Sequence, residues 1–190
     1  ISYVGSIGTW YMLDEMLDFF NELKKKKTEV KFLFITKDDP NQILNKVKEK
    51  SIDTNSIIIQ PSSREMMPSY IGCSNFSIFF ILPVFSKKAS SPTKMGEIMN
   101  LGIPIICNDG VGDVEEIMND CIPELLIKEF SEKEYQRVID LILNHYQLDS
   151  KKIINTSHKY YSLEKGVEKY SSVYNSILNI THDDTSPLSK

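Results

Sequence analysis

The sequence predicts an α/β domain in which a doubly wound parallel sheet is covered by helices on both faces. Three observations predict it. Short apolar runs alternate with helical patterns from end to end, in the order βαβαβαβαβα. Ser77–Leu82 (SIFFIL) and Ile103–Cys107 (IPIIC) are apolar without polar alternation, as strands buried on both sides are. The length of 190 residues, with 41% hydrophobic and 25% charged residues, suits one soluble domain with a sizeable core.

Ile1–Val4 is the first strand, closed by Gly5-Ser6-Ile7-Gly8. Met12, Met16, Phe19, Phe20 and Leu23 repeat at three- and four-residue spacing and predict an amphipathic helix. Lys24–Lys27 reads as its solvated last turn, where cations complement the helix dipole. Phe32–Thr36 is the second strand, Asn41–Lys50 a short helix, and Ser56–Gln60 the third strand, followed by a turn at Pro61-Ser62-Ser63. Met66, Met67, Tyr70 and Ile71 predict a helix before the fourth strand, Ser77–Leu82; Ile103–Cys107 is the fifth. Beyond it Val114–Met118 is helical, with Asp113 and Glu115 at its positive end, and Leu125–Ile127 is an edge strand.

Phe130–Gln147 and Lys151–Ile180 close the domain as helices. In the second, Val167, Tyr170, Tyr174, Ile177 and Leu178 form a stripe whose default reading is core packing. His145, His158 and His182 read as surface or packing residues. The domain thus spans 1–180, and the polar residues 181–190 are expected to be a flexible tail.

The net charge of −4 argues against a nucleic-acid partner held by a basic field. Cys73, Cys107 and Cys121 are odd in number and widely spaced, which suggests reduced thiols of a cytoplasmic protein and not a disulfide or zinc framework. No apolar run is long enough to cross a bilayer, and no signal peptide is visible. The chain begins at Ile1 and enters a strand at once, so it reads as a fragment with an upstream part missing.

In doubly wound sheets ligands bind beyond the carboxyl ends of the strands. Three loops lie there: Gly5–Trp10, Gln60–Glu65 and Pro83–Lys94. In the last, Ser91 is placed to cap a helix, Pro92 fits its first turn and Gly102 stops it. Met95, Ile98 and Met99 share the sheet-facing side, leaving Thr93, Lys94 and Glu97 to point elsewhere. One helix start therefore collects Ser90, Ser91, Thr93, free N–H groups and Lys94, a place for a diphosphate. Glu97, about one turn deeper, can accept from the two hydroxyls of a ribose. The plainer reading is a helix cap with a surface Lys94–Glu97 ion pair, and spacing alone does not decide between them. Trp10 is read either as a stacking platform or as a packing residue.

Ser91-Pro92-Thr93-Lys94-Met95-Gly96-Glu97-Ile98-Met99 followed by Gly102-Ile103-Pro104-Ile105-Ile106 resembles the signature of retaining GT-B glycosyltransferases of the family 4 type, the glycosyl transferases group 1. Tyr3–Tyr11, Glu65–Phe80, Asn108–Asp113 and Tyr160–Tyr174 are similar to further stretches of that family's C-terminal, Rossmann-like domain. The resemblance implies transfer of a sugar, with retention, from a UDP- or GDP-type sugar nucleotide, with no metal and no cofactor. It implies a glycan or lipid-linked acceptor in polysaccharide or cell-envelope synthesis, and an acceptor-side N-terminal domain that this chain lacks. The setting implied is the cytoplasm, with the intact protein peripheral at the inner membrane.

Glu97 aligns with the family's ribose-binding glutamate, and Ser90, Ser91, Thr93 and Lys94 with its diphosphate loop. Arg64 and Glu65 fall near the base, and Gly5 and Gly8 face the sugar phosphates. No catalytic residue is assigned, although Lys94 is a candidate stabiliser of the leaving group. The chain departs from the family at Ala89, where a sugar-pocket glutamate often stands, and at Ser6 and Trp10, near an arginine and a lysine that neutralise phosphate. Lys87, Lys88 and Lys94 are the candidates to replace that charge. Two other readings stand beside this one: a GT-B-like interaction module without chemistry, and a nicotinamide-dinucleotide domain. The second lacks a third glycine in its loop and an acidic residue at the usual distance, since Asp38 and Asp39 lie too far along.

Overall fold

The computed structural model describes residues 1–144 and 149–178. Among these, β1 (Ser2–Val4), β2 (Phe32–Ile35), β3 (Ile57–Gln60), β4 (Ser77–Phe79), β5 (Ile105–Asn108) and β6 (Leu126–Ile127) form one six-stranded sheet. All pairs are parallel, in the order β3-β2-β1-β4-β5-β6. Tyr3 pairs in register with Phe34, and both are fully buried, which is why these strands carry no polar alternation. Edge strand β6 is only two residues long, which leaves little backbone free to pair with another chain.

The helices are α1 (Leu13–Lys26), α2 (Pro40–Glu49), α3 (Met67–Gly72), α4 (Thr93–Asn100), α5 (Val114–Cys121), α6 (Glu132–Leu143), α7 (Ser150–Tyr161) and α8 (Leu163–Leu178). One layer is built on α1, which meets α2 and α6; Phe19 on α1 packs edge-on against Tyr135 on α6 at 5.5 Å. The other joins α4 and α5 through α7. Strand order reverses between β1 and β4, so the loops after these two strands flank the crevice of the sheet.

Two expectations change. Strand β4 stops at Phe79, short of Leu82, because the chain beyond it pairs with the first loop. Tyr11 and Ile81 form an antiparallel bridge, and the Leu82 N–H donates to the Trp10 carbonyl at 2.9 Å. Buried Asn108 completes the junction: its Oδ1 accepts from the Ile81 N–H at 2.8 Å, and its Nδ2 donates to the carbonyls of Ile81 (2.9 Å) and Asp109 (2.8 Å). Helix α1 begins at Leu13, next to Met12 where the apolar spacing starts. Helix α6 spans Glu132–Leu143; the predicted extension over 145–147, His145 with it, lies outside the described residues. So do the predicted tail 181–190 and His182.

Second, the single closing helix is two. Ser162 takes an extended backbone after α7, and its hydroxyl accepts from the Lys165 N–H at 3.3 Å, so it caps a new helix. The stripe on α8 is not core. Val167, Tyr170, Tyr174, Ile177 and Leu178 are 56–71% exposed, and no residue of α8 is buried. The periodicity marks an amphipathic helix, but nothing in the described chain covers its apolar side. Replacing Tyr170 and Ile177 together by serine is therefore expected to change unfolding free energy by less than about 0.5 kcal/mol. Urea unfolding checks this, and a loss of about 2 kcal/mol or more would put the stripe back in the core.

Candidate functional site

Gly5 has a φ of +115°, and a Cβ there would lie 2.8 Å from the Lys94 ammonium nitrogen. The positive φ calls for glycine, and the absent Cβ lets the lysine terminus come close to the backbone. The topology brings together residues far apart in sequence: β1 delivers Gly5 and α4 delivers Lys94 at the crevice. The Lys94 side chain lies over three aromatic rings, 3.7 Å from the Tyr11 centroid, 4.6 Å from Tyr3 and 6.0 Å from Phe79. Its Nζ donates to the Tyr3 hydroxyl at 3.4 Å. Burial pushes the ammonium down to about 7, against a smaller upward pull from Glu97.

Glu97, one turn along α4, faces the other way. It is half exposed and stands 3.6 Å from Arg64, which is almost wholly exposed. The surface Lys94–Glu97 pair considered from spacing is not formed: Lys94 turns into its aromatic cage and Arg64 is the partner of Glu97. Arg64 and Glu97 border a cleft of about 440 Å³, together with Ser62, Met67, Ile71 and Lys37. Lys37 also lines the adjoining hollow of about 220 Å³ around Gly5 and Asp38. Sequence reading missed Lys37, although it stands two residues past the end of β2, on the ligand side of the sheet.

The other expected site residues scatter. Ser91 does not cap α4: its hydroxyl donates to Asp113 Oδ2 at 2.8 Å, and Pro92 occupies the cap position. Asp113, expected only to open a helix, thereby anchors the loop, with the Tyr161 hydroxyl buried beside it and pushed up to about 12 by burial. Ser90 is held through its backbone. A Cβ on Gly112 would fall 1.5 Å from the Ser90 carbonyl oxygen, and the Gly112 N–H donates to the Lys87 carbonyl at 3.0 Å. Thr93 lines a second cleft of about 460 Å³, between α4, α7 and the start of α8, which Glu97 and His158 also line. Glu65 borders neither cleft, and a hydrogen bond from Ser63 holds its carboxyl below the usual range. Gly8 meets nothing closer than Ser6 Oγ at 3.5 Å, so no steric demand explains a glycine there.

Of the lysines named as replacements for the missing phosphate-binding charge, Lys94 alone contacts Gly5; Lys87 stacks on Trp10 at 4.5 Å, and Lys88 is exposed. Trp10 is 42% exposed, so it is a surface ring covered on one side by a cation. Cys107 and Cys121 are buried free thiols and Cys73 an exposed one. No group of three or more His, Cys, Asp or Glu among the described residues is placed to hold a metal ion, and no described helix is long and apolar enough to cross a membrane.

The nicotinamide reading fails on geometry. Four residues separate Gly8 from α1, so no helix N-terminus opens on the glycine loop. The loop's donors are instead taken from within: the Ser6 hydroxyl donates to Asp38 Oδ2 at 3.0 Å, and the Ile7 N–H donates to the same oxygen. Asp38, three residues beyond β2, reaches back to the loop despite its distance along the chain.

The fold is shared with known enzymes. A mutant of S. aureus TarM, in complex with Fondaparinux, alpha-GlcNAc-glycerol and UDP, superposes with a TM-score of 0.70 at 15% identity, covering 91% of this chain and 35% of that one. The pneumococcal O-GlcNAc transferase GtfA, in complex with UDP and GlcNAc, gives 0.71 at 10% identity, with 93% and 36% covered. A glycosyltransferase from Rickettsia africae ESF-5 gives 0.68 at 17% identity, with 95% and 48% covered. The chain thus spans between about a third and a half of these proteins. No curated protein sequence matches it. Residues 1–159 match the family described as glycosyl transferases group 1, and the chain belongs to that family.

Proposed function

We propose that this chain is the donor-binding half of a retaining glycosyltransferase that moves a sugar from a nucleoside-diphosphate sugar to a glycan or lipid-linked acceptor, in polysaccharide or cell-envelope synthesis. The observation that carries the reading is the division of labour on α4. Lys94 sits under the Gly5 loop at the crevice, and Glu97, three residues on, faces a cleft that Arg64 and Lys37 also border. A nucleotide laid across the helix places its phosphates at the first and its ribose at the second. The presence of UDP in the complexes of the TarM mutant and of GtfA supports this choice of ligand.

Sugar transfer passes through a transition state with positive charge on the sugar and growing negative charge on the departing diphosphate. Lys94 supplies the electrostatic half of that need, as a cation held, once the donor is bound, where the leaving group gathers charge. No metal and no cofactor enters the proposal. The acceptor pocket belongs to an N-terminal domain. Alone, the chain binds the nucleotide and turns over no donor. The setting proposed is the cytoplasm, at the inner membrane in the intact protein.

Calorimetric titration of the folded chain with UDP and GDP tests the reading; no heat with either at millimolar ligand would count against it. Glu97→Ala is expected to weaken nucleotide binding about tenfold or more, the loss of a hydrogen bond to a charged group. Stability should hold, because its exposed pair with Arg64 is worth little. An unchanged Kd would remove Glu97 from the ribose.

A further inference from the structure

We propose that Lys94 takes up a proton when a diphosphate binds, so that the empty domain stores the side chain partly neutral in an aromatic cage and the occupied domain holds it as a full cation. The inference rests on the donor-site reading above and adds to it a coupling between occupancy and pH.

The cage is unusual for a phosphate ligand. Tyr11, Tyr3 and Phe79 surround the ammonium at 3.7, 4.6 and 6.0 Å from their ring centroids, and Gly5 closes over it. Ring faces attract a cation, but they do not replace the water that a buried ammonium gives up. Its one hydrogen bond among the described residues is to the Tyr3 hydroxyl at 3.4 Å, at the long end of the range.

The groups that face it are few. Tyr3 comes from β1 and Tyr11 from the first loop, and burial pushes both phenols up, so both are neutral near pH 7. Phe79, from β4, does not titrate. Glu97, from α4 itself, favours the charged form, but it is half exposed and already faces Arg64. Asp38 stands one layer out, acting on Tyr3. Desolvation therefore prevails, and the ammonium is pushed down to about 7.

A diphosphate beside Gly5 reverses the balance. An anion within ~4–6 Å favours the charged lysine by about 1 to 3 pH units. The proton comes from the buffer: a buffer acid gives up its proton to become its conjugate base, and the neutral amine becomes the ammonium. Affinity then falls as pH rises through the empty-state midpoint. Between pH 7 and 8, UDP binding should weaken about three- to fivefold. The nucleotide's own terminal ionisation, near pH 6, is complete by then and does not interfere.

The test is a pH titration of the full chain carrying 13C-labelled lysine, followed by NMR with and without saturating UDP. The Lys94 signal is identified by its absence in Lys94→Arg. The expected midpoint is about 7 in the empty protein, and at least about one pH unit higher with UDP bound. Calorimetry on the same samples should show the pH 7 to 8 weakening in the native chain and not in Lys94→Arg, whose guanidinium stays charged. A Lys94 midpoint in the ordinary lysine range, or one that stays put while UDP binds, overturns the proposal. A midpoint near 7 with no UDP binding at all overturns the donor-site reading instead.

Discussion

Asn108→Ala is expected to destabilise the domain by about 3 kcal/mol or more, since it leaves the Ile81 N–H and C=O buried without partners. The residue is 2% exposed and ends β5 directly beside the point where β4 gives out. Its carboxamide does for Ile81 what a neighbouring strand would do, accepting one bond and donating another. Each stranded backbone group costs about 1–3 kcal/mol, and water has poor access to either. Asn108→Asp is the sharper variant. It keeps the shape and the acceptor but replaces the donor by a second acceptor, set against the carbonyls of Ile81 and Asp109. It should destabilise at least as much as alanine at pH 7, and less when the new carboxyl is protonated in acid. Urea unfolding of both variants, at pH 7 and pH 5, measures this. A loss under about 1 kcal/mol for alanine would mean that the clamp is not needed.

Gly112→Ala should be comparably damaging, for a different reason. The added methyl would sit 1.5 Å from the Ser90 carbonyl oxygen, and the φ of +44° is itself poor for alanine. The obstacle is backbone, so no side-chain rotation relieves it, and the whole 87–92 loop must move. A cost of about 3 kcal/mol is expected, at the upper end of overpacking, together with weaker UDP binding, because Lys94 follows directly on that loop. Gly8→Ala is the control: its methyl would meet Ser6 Oγ at 3.5 Å, an ordinary contact. Paired unfolding and UDP titration curves decide, and equal effects for the two glycines would remove the steric argument.

The elements of the sheet were legible because a strand buried on both faces advertises itself as an uninterrupted apolar run, as in Ser77–Phe79 and Ile105–Cys107. Ligand-side loops were legible from strand order alone. What periodicity does not encode is what covers an apolar stripe, and α8 is the case in point: its spacing is that of a core helix, yet its side chains face outward. Ser162 did carry a signal, a serine followed by a leucine and a glutamate, but it was overridden by the length of the helical pattern around it.

Among the candidate residues, Gly5, Lys94 and Glu97 were legible from a strand end and a helix start, and Arg64 from the family resemblance alone. Their arrangement was not. The cage of Lys94 depends on Tyr3, 91 residues away in sequence, and on a loop that folds back over β4. Ser91 read as a cap because serine before proline is a common helix start, and only the fold shows that Asp113 takes its hydroxyl instead.

One contact has a mechanical meaning. Gly96, between Lys94 and Glu97, has no room for a Cβ, which would lie 2.5 Å from the Tyr161 ring, and its carbonyl accepts from the Ser157 hydroxyl at 3.0 Å. Tyr161 is the last residue of α7, immediately before the break at Ser162 where α8 begins. The helix that carries the candidate ligand groups is thus keyed to the base of α8 along a broad face of α7, so a shift of that base would be felt at Lys94 and Glu97.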